Sequence, residues 1–92
     1  MSMTRASLLI SGRVQGVAFR HHTSQFAQSQ GVTGWVRNLA SGEVEALLEG
    51  ETEAVSRVIA WCQQGPPAAQ VTAVRTAWGD YKGEFADFVI RR

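Results

Sequence analysis

Two short stretches of the chain carry the groups best suited to chemistry. The first, Gly12-Arg13-Val14-Gln15-Gly16-Val17-Ala18-Phe19-Arg20, leaves an apolar run at Leu8, Leu9 and Ile10 and crosses a glycine-bracketed loop. It reaches an arginine where a helical pattern begins. A strand–loop–helix junction of this kind turns several backbone N–H groups in one direction, and the helix start adds partial positive charge. A guanidinium at its end makes the junction a pocket for a phosphate-like anion. The second stretch, Gly34-Trp35-Val36-Arg37-Asn38, brings a neutral polar side chain to a strand end.

Each group has a definable capacity. Gly16 tolerates φ values that side chains disfavour, so the N–H groups from Gln15 to Phe19 can curl around an anion. Arg20 offers a planar fork that grips two oxygens at once. The Asn38 amide does not titrate, which rules it out as a general base, but it can accept one water hydrogen and so fix the position of the oxygen. Spacing alone leaves two plainer readings open: a simple turn with a solvated Arg20, and an asparagine that caps a hairpin.

The elements that must hold these groups are read from periodicity. Residues from about Arg5 to Arg13 form a first strand with Leu8 and Ile10 on one face. Arg20 to Gln30 forms a helix with Phe19, Thr23, Phe26 and Ala27 as its apolar stripe, ended by Gly31. Val32 to Asn38, a turn at Ala40-Ser41-Gly42, and Glu43 to Glu49 read as a hairpin. In its second strand Val44, Ala46 and Leu48 point inward and Glu43, Glu45 and Glu49 outward, with Leu47 as the exception. Val55, Val58, Ile59 and Cys62 at i, i+3, i+4 and i+7 mark a second helix, stopped by Gly65-Pro66-Pro67. Val71 to Trp78 and Phe85 to Arg91 are β-rich, joined through Asp80-Tyr81-Lys82-Gly83, and are taken as one unit. The order β-α-β-β-α-β is the ferredoxin-like arrangement, an α+β two-layer sandwich. Right-handed crossovers put both helices on one face of an antiparallel sheet, with the first and third strands central.

Composition bounds what such a chain does. With 92 residues, 45% of them hydrophobic, it is expected to form one domain over 1–92 with one core. A formal net charge of +1 argues against a nucleic-acid surface or a polybasic membrane anchor. Lys82 is the one lysine among nine basic residues, a bias that suits anion recognition and equally fits a compositional habit. The lone Cys62 cannot form an internal disulfide, which fits a reducing cytoplasm. The N-terminal apolar segment is too short for a signal peptide, and nothing approaches the length of a membrane span.

The 12–20 stretch together with Gly34-Trp35-Val36-Arg37-Asn38-Leu39-Ala40-Ser41-Gly42-Glu43-Val44 resembles the two signatures of the acylphosphatase family. Gly65-Pro66-Pro67-Ala68 with Val71 and Val74 is similar to that family's looser third pattern, and Phe88-Val89-Ile90 resembles its closing strand. The resemblance covers essentially the whole chain. It implies a small stand-alone enzyme of ferredoxin-like fold that hydrolyses the carboxyl–phosphate anhydride of acyl phosphates without metal or other cofactor. Arg20 would bind the phosphoryl group, Asn38 would orient the attacking water, and the backbone amides of Gln15, Gly16, Val17, Ala18 and Phe19 would cradle the phosphate oxygens. Two departures stand out: Leu39 where many members have threonine, and Ala18 where a larger side chain is common.

The remaining candidates read as structural. His21 and His22 point about 100° apart on a helix and lack a further ligand at helical spacing, so they are expected on the surface and not on a metal. Trp35, Trp61 and Trp78 are expected to pack, and Cys62 to be buried and inert. The runner-up function is a module that retains phosphate or carbamoyl phosphate without turnover. RNA binding would need exposed aromatics on the central strands, where the first strand has Leu8-Leu9-Ile10-Ser11, and metal shuttling would need a cysteine pair. The default assembly is a monomer acting on a small-molecule acyl phosphate.

Overall fold

Alternation drives the first strand: Ala6, Leu8 and Ile10 are buried while Ser7 is exposed. In the computed structural model, which describes residues 2–92, this strand is β1, Met3–Arg13. It begins two residues ahead of expectation because Met3 and Thr4 still pair with Glu51 and Gly50. The other elements are α1 (Phe19–Ser29), β2 (Thr33–Asn38), β3 (Val44–Glu51), α2 (Thr52–Gln64), β4 (Gln70–Gly79) and β5 (Phe88–Ile90). The sheet order is β4-β1-β3-β2-β5, so β1 and β3 are central and β2 lies beside β3, as the topology requires. The fold is the ferredoxin-like α+β arrangement.

Both helices pack on one face over a core of β1, β3 and helical side chains. From α2 come Val55, Val58, Ile59 and Cys62, the four residues of its stripe. From α1 come Phe19, Thr23 and Ala27, while Phe26 is half-buried and stacks on Trp61 at 5.8 Å. Gly31 follows the C-cap with φ 71°, the left-handed conformation that ends a helix. Trp61 also meets Phe19 at 5.7 Å and so bridges the two helices. Trp78 differs from expectation: it sits near the end of the edge strand β4 and is 54% exposed.

The last segment departs furthest from the sequence reading. β4 and β5 are not one unit but occupy opposite edges of the sheet, and β5 runs parallel to β2, which makes the five-stranded sheet mixed. Residues 80–87 therefore pass over the end of the sheet on the face that bears no helix. There they cover Glu49, which was expected to point into solvent and is instead fully buried. Its carboxylate accepts hydrogen bonds from the Lys82 N–H (2.7 Å), the Glu84 N–H (3.3 Å) and the Arg5 guanidinium (3.3 Å). Arg5 also pairs with Glu84 at 2.6 Å and lies over the Phe85 ring. Leu47, on the same face, is buried as well. The Asp87 carbonyl then accepts from Gly34 N–H at 3.0 Å, and the chain enters β5.

Two measurements test this packing. Gly34 has φ 133°, and a Cβ there would lie 1.8 Å from the Leu47 carbonyl oxygen. Gly34→Ala combines a forbidden backbone conformation with a backbone clash, so a loss of about 3 kcal/mol or more is expected in urea unfolding. The second concerns Cys62, whose thiol is pushed up to about 12 by burial, partly offset by a hydrogen bond with Thr23. Above the ordinary thiol value the unfolded chain has lost a proton that the folded chain keeps, so stability must fall as pH rises. Between pH ~9 and ~11 the wild type should lose up to about 1.4 kcal/mol per pH unit more than Cys62→Ala. Parallel pH profiles for the two proteins would show that the thiol is not coupled to folding.

Candidate active site

Four residues span two buried anchors at the end of β1. Val14 and Phe19 are each 1% exposed, and Gln15 to Ala18 loop between them. The loop needs two left-handed residues, Gly16 at φ 75° and Ala18 at φ 61°. A glycine takes that conformation freely, whereas Ala18, the only non-glycine residue with positive φ among the described residues, holds it at a cost of about 1–2 kcal/mol. Ala18 is the N-cap of α1, and its carbonyl accepts the first helical bond from His22 N–H at 3.1 Å. Among the described residues, no backbone carbonyl takes a hydrogen bond from the N–H groups of Gln15 to Phe19. Those donors are free for an anion, at the positive end of the helix.

The Gln15 side chain was not singled out by sequence reasoning, yet it ties the loop to the hairpin. Its amide nitrogen donates to the Leu39 carbonyl at 2.7 Å and the Glu43 carbonyl at 2.9 Å. Those residues form the β2–β3 turn, closed by Leu39 N–H to Glu43 O at 2.8 Å and Gly42 N–H to Leu39 O at 3.1 Å. Asn38, the last residue of β2, is thus held in register with the loop. Glu43 is held below the usual carboxylate range by the Ser11 hydroxyl at 2.7 Å and then by Ser41, with partial burial acting the other way.

Arg20 is half-buried in the first turn of α1, and its Nη1 donates to the Arg91 carbonyl at 3.2 Å. Arg91 is itself fixed: its N–H donates to the Val36 carbonyl at 2.8 Å, and its guanidinium lies 5.0 Å from the Trp35 ring. Arg37 lies over the same ring at 5.1 Å and pairs with Glu45. Trp35 is therefore half-buried on the sheet face away from the helices, where two cations cover it.

These elements enclose a cleft of about 190 Å³. Of the residues named from sequence, Gly16, Ala18, Phe19, Arg20 and Asn38 line it; Gln15 faces the hairpin, and Val17 packs against the core. Val14, His21 and Ile90 complete the lining. Ile90 could not be found from local sequence, because its place depends on the parallel pairing of β5 with β2. Among the described residues, no three His, Cys, Asp or Glu side chains come together as a metal site. The cleft thus offers a guanidinium, one neutral amide and a loop whose N–H groups lack carbonyl partners, a set suited to a small, multiply charged oxyanion.

Comparison with known proteins identifies the family. The family model described as Acylphosphatase matches residues 6–90. A protein named Acylphosphatase from Geobacter sulfurreducens is 55% identical over 87 residues, covering 95% of this chain and 96% of the relative. One of the same name from Pelotomaculum thermopropionicum is 51% identical over 90 residues and covers 98% of each. The solved structure of an acylphosphatase from Coxiella burnetii superposes with a TM-score of 0.91 at 35% identity, over 97% of this chain and 93% of that one. With a family model over residues 6–90 and relatives more than 50% identical along nearly its whole length, the chain belongs to the acylphosphatase family.

Proposed function

We propose that Arg20 and the N–H groups of Gln15 to Phe19 hold the phosphoryl group of an acyl phosphate while Asn38 orients the attacking water. The enzyme hydrolyses the carboxyl–phosphate anhydride bond, giving a carboxylate and inorganic phosphate. The observation that carries the reading is a single cleft lined by Arg20, Asn38 and the left-handed loop. The water oxygen attacks phosphorus, the bond to the acyl oxygen breaks, and its electron pair leaves on the carboxylate. The water protons pass to phosphate and solvent. Because a carboxylate leaves readily, the protein's task is positioning and charge stabilisation. A guanidinium and preorganised N–H donors supply that stabilisation, so we propose a metal-independent reaction. A binding module would have no use for an amide that orients water, and the relatives' names favour the enzyme. The proposed setting is a cytoplasmic monomer with one domain over 1–92 and no nucleic-acid partner, in keeping with the small net charge and lone Cys62.

Hydrolysis of benzoyl phosphate at neutral pH with excess chelator tests these roles. Arg20→Ala and Asn38→Ala should each lower kcat by about 10²–10³-fold, the range for losing one preorganised donor. Arg20→Ala should also raise KM, whereas Asn38→Ala should leave it near the wild-type value. Wild-type kcat in Asn38→Ala would remove the water-orienting role. Equal losses of affinity in both variants would merge the two roles into one.

A separate outcome is expected for Gln15→Ala, which frees the loop from the hairpin without removing a group that touches substrate. Stability should fall by about 1–2 kcal/mol. Reduced kcat should accompany that loss, read from the same assay at a temperature where circular dichroism shows the variant folded. Full activity in the folded variant would mean that the loop and Asn38 keep their register without the clamp.

A further inference from the structure

His21 is the one polar residue of the cleft that the proposed chemistry leaves unused. It is exposed in the first turn of α1, its ring lies 5.6 Å from that of His22, and among the described residues it makes no side-chain hydrogen bond or ion pair. The cleft has two walls. Asn38 and Ile90 come from β2 and β5, whereas His21 comes from the helix layer. Displacement at phosphorus needs the water and the leaving group roughly in line. With the water held by Asn38 on the sheet side, an acyl group leaving opposite it would face the helix wall, to which His21 belongs.

Charge on this path is one-sided. The loop from Val14 to Ala18, α1, β2 and β5 contain no aspartate or glutamate, while Arg20 and His21 both line the cleft. An anion entering meets no carboxylate from the elements that form the cleft, and an imidazole N–H donates to an anionic oxygen in either protonation state. The cleft, at about 190 Å³, is also small. It falls below the ~300–1,000 Å³ of pockets that take drug-sized ligands and suits a phosphoryl group with a short chain.

We infer that His21 is a specificity-determining residue that favours acyl phosphates whose acyl chain carries a second anionic group over uncharged ones. The inference rests on the phosphoryl-site reading of Arg20 and Asn38. Ile90 offers the same path an apolar contact, so uncharged acyl groups are accommodated without the extra hydrogen bond.

The test compares kcat/KM for succinyl phosphate and benzoyl phosphate in the wild type, His21→Ala and His21→Arg. The succinyl-to-benzoyl ratio should fall about tenfold or more in His21→Ala, as for a lost hydrogen bond to a charged group. In His21→Arg, which keeps a donor and fixes the charge, the ratio should match or exceed that of the wild type. A purely structural role would move both substrates together and leave the ratio unchanged. An unchanged ratio in His21→Ala overturns the inference, and so does a fall in His21→Arg as large as in His21→Ala. Folded wild type that hydrolyses neither substrate overturns the underlying site reading and the role of His21 with it, whereas benzoyl phosphate turnover with an unchanged ratio removes His21 alone.

Discussion

Glu49 is shut off from solvent, and a carboxylate in that position is tolerable only if its oxygens are met by donors. Arg5 supplies one, and the N–H groups of Lys82 and Glu84 supply two more. A buried acceptor stranded without such partners costs about 1–3 kcal/mol, more when it is charged. Against a typical total stability of ~5–15 kcal/mol, that is enough to fix the course of residues 80–87 over the sheet end. Everything after the strap follows from this course. Asp87 meets Gly34, Phe88 to Ile90 pair with β2, and Arg91 reaches the Val36 carbonyl. The acceptor for Arg20 and the Ile90 wall of the cleft are thus delivered by a carboxylate well away from either. This makes the sheet's second face part of the site's architecture, although the proposed chemistry lies at the junction of β1 and α1 and at the end of β2.

The parts of this arrangement visible in sequence are those governed by nearest neighbours along the chain. The 3.6-residue stripe of α2 and the shared face of Leu8 and Ile10 in β1 need no knowledge of partners. The same holds for the anion-binding capacity of a glycine loop that opens a helix. Side chains whose surroundings come from distant chain resist such reading. Glu49 alternates outward as a strand glutamate should, and only the strap 33–35 residues later buries it. The Arg20–Arg91 contact spans 71 residues, and no local pattern encodes it. Gln15 looked like a backbone donor because its side-chain partners, the carbonyls of Leu39 and Glu43, become neighbours only when the hairpin docks. Trp78 shows the converse: its size suggested packing, but its position at a sheet edge leaves it more than half exposed.

The strain at Ala18 connects stability to chemistry. A loop with free ends would relax a non-glycine residue out of the left-handed region, recovering about 1–2 kcal/mol. Here the ends are not free. Val14 and Phe19 are sealed in the core only five positions apart, the Gln15 side chain is clamped to the hairpin, and Ala18 must also cap the helix. The surroundings over-determine the loop, and its N–H groups are left without backbone acceptors. Preorganisation of this kind matters because donors that must first reorient spend interaction energy on their own ordering, leaving less for the developing charge. The core therefore acts on the reaction directly, since each anchor that seals the loop's ends also removes motion from the groups proposed to hold the phosphoryl oxygens.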